Sequence, residues 1–125
     1  MSVTYKTCQQ ASKSRREDND CAVIAVSIVS NHPYDYVHEI FRQHGRKNRR
    51  GTPRHMTRSV VRELGMFMEG PIEFEGKTIK SLRLPKDGRF LIVTRGHILA
   101  AINGKICDWT SGRKHRPKCI WRCEW

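Results

Sequence analysis

Apolar residues recur at helical spacing in the first half of the chain and at strand spacing in the second half. Residues 21–30, CAVIAVSIVS, follow the capping residues Asp18, Asn19 and Asp20 and are apolar on nearly every side. Their β-branched residues also suit a strand. The caps and the two alanines favour a helix, and such an apolar helix must be buried at the centre of the fold.

Two amphipathic helices are predicted after this central one. Pro33 suits the first turn of a helix with a stripe of apolar residues, and Gly45 suits its C-terminal end. Thr52-Pro53 begins the next helix, which runs to Leu64. Both helices are expected to pack one face against the core.

The remaining segments predict an irregular start and a β-rich end. Residues 1–17 are polar and basic and predict an arm or irregular lead-in, and residues 78–82 predict a short helix. Alternation of apolar and polar residues predicts strands over 90–94, 97–102, 105–110 and 119–124. Helices followed by an antiparallel sheet indicate an α+β fold, with one domain over 18–125.

Charge adds an expectation about partners. The 125 residues include 24 Lys and Arg against 12 Asp and Glu, so the net charge is +12. A field of this sign attracts nucleic acid or acidic proteins. No apolar run approaches the roughly 20 residues of a membrane span, and the first residues do not have the order of a secretory signal. We therefore expect a soluble, cytoplasmic protein that does not bind membranes.

The basic residues concentrate between Arg42 and Arg62, where eight cations and no acid occur. Like charges four residues apart on a helix repel each other, so a partner that neutralises them is one explanation, and a solvated face of a basic protein is the other. Few aromatic residues lie there to stack on bases. The candidate binding residues are Arg46, Lys47, Arg49, Arg50, Arg54, Arg58 and Arg62.

The five cysteines are an odd number, and with no secretory signal we expect no disulfide framework. Cys119 and Cys123, with His115 nearby, are one possible start of a zinc site, although the fourth ligand has to come from elsewhere. The alternative is that these thiols pack as small apolar residues, and we expect no metal in the functional site.

Cys21 is the strongest candidate for chemistry, because it stands at the start of the predicted central helix. Free N–H groups and the helix dipole stabilise a thiolate there and make it nucleophilic. The N–H of Cys21 can also donate to an oxyanion that forms beside it. The alternative is that the thiol only fills space at the helix start.

A predicted hairpin supplies a base for this thiol. A two-residue turn at Asn103-Gly104 brings His97 and Asp108 onto one face of the sheet, as diagonal neighbours within side-chain reach. An imidazole beside a carboxylate is the base and orienting group that a cysteine nucleophile requires. Gly96 leaves room for a substrate, and Trp109 is expected on the opposite face.

These residues resemble papain-like cysteine peptidases, and more closely a group of small papain-like proteins common in phage genomes. The resemblance spans roughly 18–125. Its motifs are Asp20-Cys21 before an apolar helix, Tyr34 to Gly45-Arg46-Lys47, Gly51-Thr52 before another helix, Gly96-His97, and Cys107-Asp108 after Asn103-Gly104. The order Cys, His, Asp is also that of the family.

The resemblance implies a papain-like α+β fold and a hydrolase that cuts a peptide or isopeptide amide without a cofactor. Cys21 is then the nucleophile, His97 the base and Asp108 the orienting residue. The family's oxyanion-hole glutamine is replaced here by Arg15, so Asn19 and Gln10 are the candidates for that role. The alternative is an inert basic module that binds nucleic acid or an acidic host protein. A phage origin implies the host cytoplasm as its location.

Overall fold

The computed structural model describes residues 2–125, which form four helices and a five-stranded antiparallel sheet. The α+β class predicted from the sequence is confirmed. The helices are α1 (Tyr5–Ser14), α2 (Cys21–Ser30), α3 (Tyr34–Gln43) and α4 (Arg54–Glu63). The strands are β1 (Phe67–Glu69), β2 (Arg89–Thr94), β3 (His97–Ile102), β4 (Lys105–Cys107) and β5 (Cys119–Glu124), in the sheet order β1-β5-β2-β3-β4.

Helix α2 lies at the centre, as its all-round apolar sequence predicts. It packs against α1, α3 and α4 and against β2 and β3. Val23, Val26 and Val29 have no solvent exposure. The helix ends at Asn31, which takes the left-handed conformation with φ of 56°. The first residue of α2, Cys21, is thereby fixed between the helical layer and the sheet.

The sequence suggested an irregular lead-in over residues 1–17, but residues 2–17 include the helix α1. Thr4 caps α1 through a reciprocal hydrogen-bond pair with Thr7. Cys8 of α1 is fully buried in the core. Tertiary packing therefore stabilises a helix whose polar composition gives only a weak signal.

The hairpin of β3 and β4 has the predicted turn and register. Ile102 pairs with Lys105 across Asn103-Gly104, and the ladder continues to Ala100 and Cys107. Strand β4 ends there, three residues shorter than expected, and residues 108–113 form a bend and turns. Asp108 therefore stands just beyond the last strand pair.

Two further local expectations are corrected. Residues 78–82 form turns instead of a short helix, because the backbone N–H groups of Ile79 and Lys80 donate to carbonyls of a distant loop, at His115 and Arg113. Strand β1 was not predicted, since its three residues carry little pattern of their own. It forms by pairing with β5.

The sheet has an apolar core on each face. The helices cover one face, which includes Leu91, Ala100 and Trp121. Residues 72–84 cover the other face, where Ile79 packs near Phe90. Across residues 2–125, no helix has the length and apolar character needed to cross a bilayer.

Candidate active site

The thiol of Cys21 stands at an uncapped helix start. Asp20 occupies the N-cap position, but its carboxylate makes no capping bond and instead accepts a hydrogen bond of 2.6 Å from the Tyr34 hydroxyl. The capping role expected for the Asp18–Asp20 cluster is therefore not performed by Asp20. The first amide groups of α2 stay available, and Cys21 is only partly buried.

The imidazole of His97 is held by Asp108. His97 is the first residue of β3, and its Nε2 donates to Oδ2 of Asp108 at 2.9 Å. Thr110, which is fully buried, donates to the same carboxylate from its hydroxyl at 2.7 Å and from its backbone N–H at 3.2 Å. The carboxylate is thus fixed by a turn that sequence patterning did not identify.

The imidazole of His97 neighbours the thiol of Cys21, and each group influences the pKa of the other. Because Nε2 of His97 is bound to Asp108, its Nδ1 is the ring nitrogen that serves the thiol. Burial opposes ionisation of Cys21, but His97 and backbone N–H groups of Ile98 and Ala22 outweigh it and lower the thiol pKa.

The pKa of His97 shifts in the complementary direction. Burial disfavours the imidazolium, but the hydrogen bonds and charges of Asp108 and Cys21 raise its pKa from 6.5 to about 9. A lowered thiol pKa beside a raised imidazole pKa favours the thiolate–imidazolium form near neutral pH. This is the charged form that attacks carbonyl carbon.

The two oxyanion candidates have different positions. Asn19 lies at the cleft beside Cys21, and one hydrogen of its amide is bonded to the carbonyl of Arg49 at 3.1 Å. Gln10 is exposed on α1 and does not line the cleft. The backbone N–H of Cys21 and the second amide hydrogen of Asn19 are therefore the candidate donors to an oxyanion that forms beside the thiol.

A cleft of about 340 Å³ opens over the thiol and the imidazole. Gly96 borders it with φ of 70°, and a Cβ added there meets no atom within 4 Å, so there is open space beside this residue. The lining residues are Asn19, Cys21, Ala22, Gly51, Thr52, Arg54, Thr57, Met68, Val93, Thr94, Gly96, His97, Ile98 and Trp121.

Strand alternation predicted Trp109 on the face of the sheet opposite His97, but in the structure Trp109 lies beside His97. Its ring centroid is 5.5 Å from that of His97, and Arg113 lies 5.7 Å from the Trp109 centroid. The prediction failed because β4 ends at Cys107, so alternation no longer governs the residues that follow. Trp109 instead shields one side of the His97 imidazole.

Arg46 belongs to a buried network and not to the basic surface predicted for it. Its Nη1 donates to Glu17 at 2.7 Å, and Nε2 of His38 lies 2.6 Å from the same oxygen. The backbone N–H of Arg49 donates to Glu17 as well. Burial opposes ionisation of Glu17, but these bonds lower its pKa to about 2.

The other six predicted basic residues are exposed, and none forms an ion pair within residues 2–125. Arg54 and Arg58 differ from the rest because their guanidinium groups lie 5.8 and 4.8 Å from the centroid of Trp121. Arg54 also lines the cleft. Sequence spacing placed both arginines on one side of α4 but gave no sign of their aromatic partner.

The remaining cysteines are free thiols that pack against the core. Burial raises the pKa of Cys8 and of Cys123 to about 12. In the part of the chain that the structure describes, no group of three or more His, Cys, Asp or Glu side chains is arranged to hold a metal ion.

Comparison of the chain with protein-family models, with curated proteins and with solved structures finds no match. The chemistry of this site is therefore inferred from its geometry. The Cys21 thiol, the His97 imidazole and the Asp108 carboxylate are neighbours in that order, and the thiol and the imidazole line one cleft.

Proposed function

We propose that the protein is a cysteine hydrolase of papain-like fold that cuts a peptide or isopeptide amide bond. The observation that carries this proposal is the position of His97, which is bonded to Asp108 through Nε2 and lines the same cleft as its neighbour Cys21. This is the arrangement of nucleophile, base and orienting group that covalent amide hydrolysis requires.

The reaction begins with attack of the Cys21 thiolate on the amide carbon, which forms a C–S bond and places the negative charge on the carbonyl oxygen. The Cys21 N–H and the Asn19 amide stabilise that oxyanion. The C–N bond then breaks, and the His97 imidazolium gives its proton to the leaving amine. An acyl-thioester on Cys21 remains.

Water completes the cycle. Neutral His97 takes a proton from a water molecule, which attacks the thioester, and the C–S bond breaks to release a carboxylic acid and the thiolate. Asp108 keeps the imidazole oriented through both halves. The papain-like fold is part of the same proposal, supported by the chain order Cys21, His97, Asp108 and by a nucleophile at the start of a central helix packed on an antiparallel sheet.

A pooled set of fluorogenic peptide amides tests this proposal. Wild type is expected to hydrolyse some members, Cys21→Ala and His97→Ala are expected to hydrolyse none, and Cys119→Ser serves as the matched thiol control that retains activity. Hydrolysis that survives Cys21→Ala contradicts the proposal. So does failure of a peptide vinyl sulfone to label Cys21 in wild-type protein.

A second candidate is a binding module for nucleic acid or an acidic protein, favoured by the unpaired arginines of α4 and the loop before it. Its signature is binding of oligonucleotides that weakens steeply with salt and is unchanged by Cys21→Ala. Weak binding that is insensitive to salt contradicts this second candidate.

A further inference from the structure

The walls of the cleft present hydrogen-bond donors and positive charge, with no carboxylate among the lining residues. Two helices begin at this cleft, α2 at Cys21 and α4 at Arg54, and neither has a capping side chain or an acidic residue in its first turn. The Asp20 carboxylate stands at the N-cap of α2, but α4 has Pro53 at its N-cap, so the positive end of the α4 dipole remains uncompensated. These features favour an anionic group in the cleft.

Arg54 supplies the full charge. Its guanidinium is placed over Trp121, a residue only 6% exposed, and Arg58 stacks on the same ring one turn later. Stacking on an aromatic ring restricts where a guanidinium lies but leaves its five N–H donors free for a carboxylate. Arg54 is thus positioned in advance of any ligand.

Some arginines of the described chain are already neutralised by a carboxylate. Arg15, Arg42 and Arg46 pair with Asp35, Glu39 and Glu17 respectively. Arg54 borders the nucleophile's cleft and has no such partner in residues 2–125.

Two uncharged groups of the same wall also lack partners. Nε1 of Trp121 and Oγ1 of Thr52 are buried and have no hydrogen-bond partner. Buried polar atoms are rarely left unpaired in folded proteins, because each one costs free energy. These two atoms are closed off from the cleft surface, whereas the Arg54 guanidinium is exposed there and can bind acceptor oxygens.

We propose that the cleft binds acidic peptide segments, with Arg54 holding a carboxylate of the substrate beside the amide that Cys21 attacks. This inference rests on the proposed hydrolase function and names its substrate class. An acidic peptide fits better than a nucleic acid, because Trp121, the Trp, Tyr or Phe residue among those that line the cleft, is buried beneath two guanidinium groups and gives a base no surface on which to stack.

Matched peptide pairs test the inference. Fluorogenic peptides with Glu residues around the scissile amide are compared with the same peptides carrying Gln. We expect kcat/KM about 10- to 100-fold higher for the Glu peptides, the range for a hydrogen bond to a charged group. Arg54→Gln removes most of that ratio through KM. Lys80→Gln, an equal charge change beside Ile79 on the other face of the sheet, preserves it.

A binding experiment separates this inference from the proposed function. Fluorescence anisotropy of labelled Glu and Gln peptides is measured on Cys21→Ala protein, which needs no turnover. Preferential binding of the Glu peptide that Arg54→Gln abolishes supports the inference, even where no peptide is cleaved and the hydrolase proposal fails.

Three results overturn the inference. The first is Cys21-dependent cleavage with equal kcat/KM for both peptides, which leaves the hydrolase proposal standing. The second is equal binding of both peptides to Cys21→Ala protein. The third is displacement of the Glu peptide from the cleft by a single-stranded oligonucleotide that binds more tightly.

Discussion

Two histidine–carboxylate pairs in this protein share the same chemistry but have different surroundings. We call His97–Asp108 the cleft pair and His38–Glu17 the buried pair. The nitrogen–oxygen distances are 2.9 Å and 2.6 Å respectively. The imidazole of His97 is 16% exposed at the cleft, whereas that of His38 is 4% exposed and the Glu17 side chain is not exposed at all.

The third partner decides what each pair does. In the cleft pair the third group is the Cys21 thiol, so a proton can pass between thiol, imidazole and substrate. In the buried pair it is the Arg46 guanidinium, which keeps a positive charge beside the Glu17 carboxylate at every accessible pH. A charge that cannot be released does no acid–base work, and the pair serves to hold the fold together.

The buried pair nevertheless supports the cleft. Glu17 binds Arg46 and the backbone of Arg49, and Asn19 binds the carbonyl of Arg49. These bonds tie the segment before Cys21 to the loop that leads into the cleft-lining residues at Gly51. Solvent access and the third partner therefore distinguish the proposed catalytic pair from the supporting pair, and four predictions test that division, from the largest expected effect to the smallest.

Removal of the nucleophile separates the two pairs most clearly. Cys21→Ala is expected to lower kcat for a cleaved peptide amide by about 10⁴-fold or more, because no covalent intermediate can form. The midpoint of thermal unfolding should change little. Steady-state kinetics and calorimetry measure the two effects, and a Cys21→Ala protein with near-normal kcat contradicts the division.

Disruption of the buried pair should have the opposite signature. Glu17→Gln leaves Arg46 buried without its counter-charge, and we expect a loss of about 3–5 kcal/mol in the free energy of unfolding. Urea unfolding measures this loss. Asp35→Asn, which removes the exposed partner of Arg15, is the control and should cost less than about 1 kcal/mol. Equal costs for the two variants contradict the structural role of the buried pair.

Acid should weaken the buried pair within a defined pH range. Glu17 has a pKa of about 2 in the folded chain against 4.5 ordinarily, so its stabilising effect is full above pH 4.5 and is lost as pH falls towards 2. The shift corresponds to about 3 kcal/mol. Urea unfolding at a series of pH values should show this slope in wild type and a smaller one in Glu17→Gln. If wild type and Glu17→Gln lose stability with the same pH dependence, the acid sensitivity arises from other groups and the prediction is wrong.

The smallest effect concerns the support of the cleft pair. Thr110→Val removes the hydroxyl that donates to Asp108 at 2.7 Å but retains the backbone donor. Because one hydrogen bond is lost, we expect kcat/KM to fall by about two- to tenfold. The pH profile of kcat/KM should also change, because His97 is held less firmly. Thr78→Val, in an exposed turn, is the control. An unchanged pH profile in Thr110→Val contradicts a positioning role.

Much of the fold follows from local sequence signals. Helix α2, the α3 and α4 stripes and the Asn103-Gly104 hairpin carry strong patterns, and the structure confirms each of them. Helix α1 and strand β1 were missed because both depend on tertiary neighbours. The same dependence explains the error at 78–82, where backbone groups bond to the 113–115 loop.

Prediction of the candidate site from the sequence was limited in the same way. The hairpin register brought His97 and Asp108 together in the prediction, since both belong to one local unit. Three contacts of the site were not predicted, because they depend on turn geometry or on the folded chain. Thr110 donates to Asp108, Arg54 stacks on Trp121, and Arg46 pairs with the buried Glu17. Sequence spacing therefore identified Cys21 and His97 as the candidate nucleophile and base, and the structure supplied their surroundings.

The central claim is that the cleft pair activates Cys21, and alkylation of that thiol by iodoacetamide as a function of pH tests it most directly. Mass spectrometry follows each cysteine in wild type, His97→Ala and His38→Ala, with Cys8 and Cys123 as internal controls whose pKa is about 12. We predict that the alkylation midpoint of Cys21 lies below that of an ordinary thiol in wild type and His38→Ala, and that it rises in His97→Ala. A Cys21 that reacts no faster than Cys8, or that is indifferent to the loss of His97, contradicts the account.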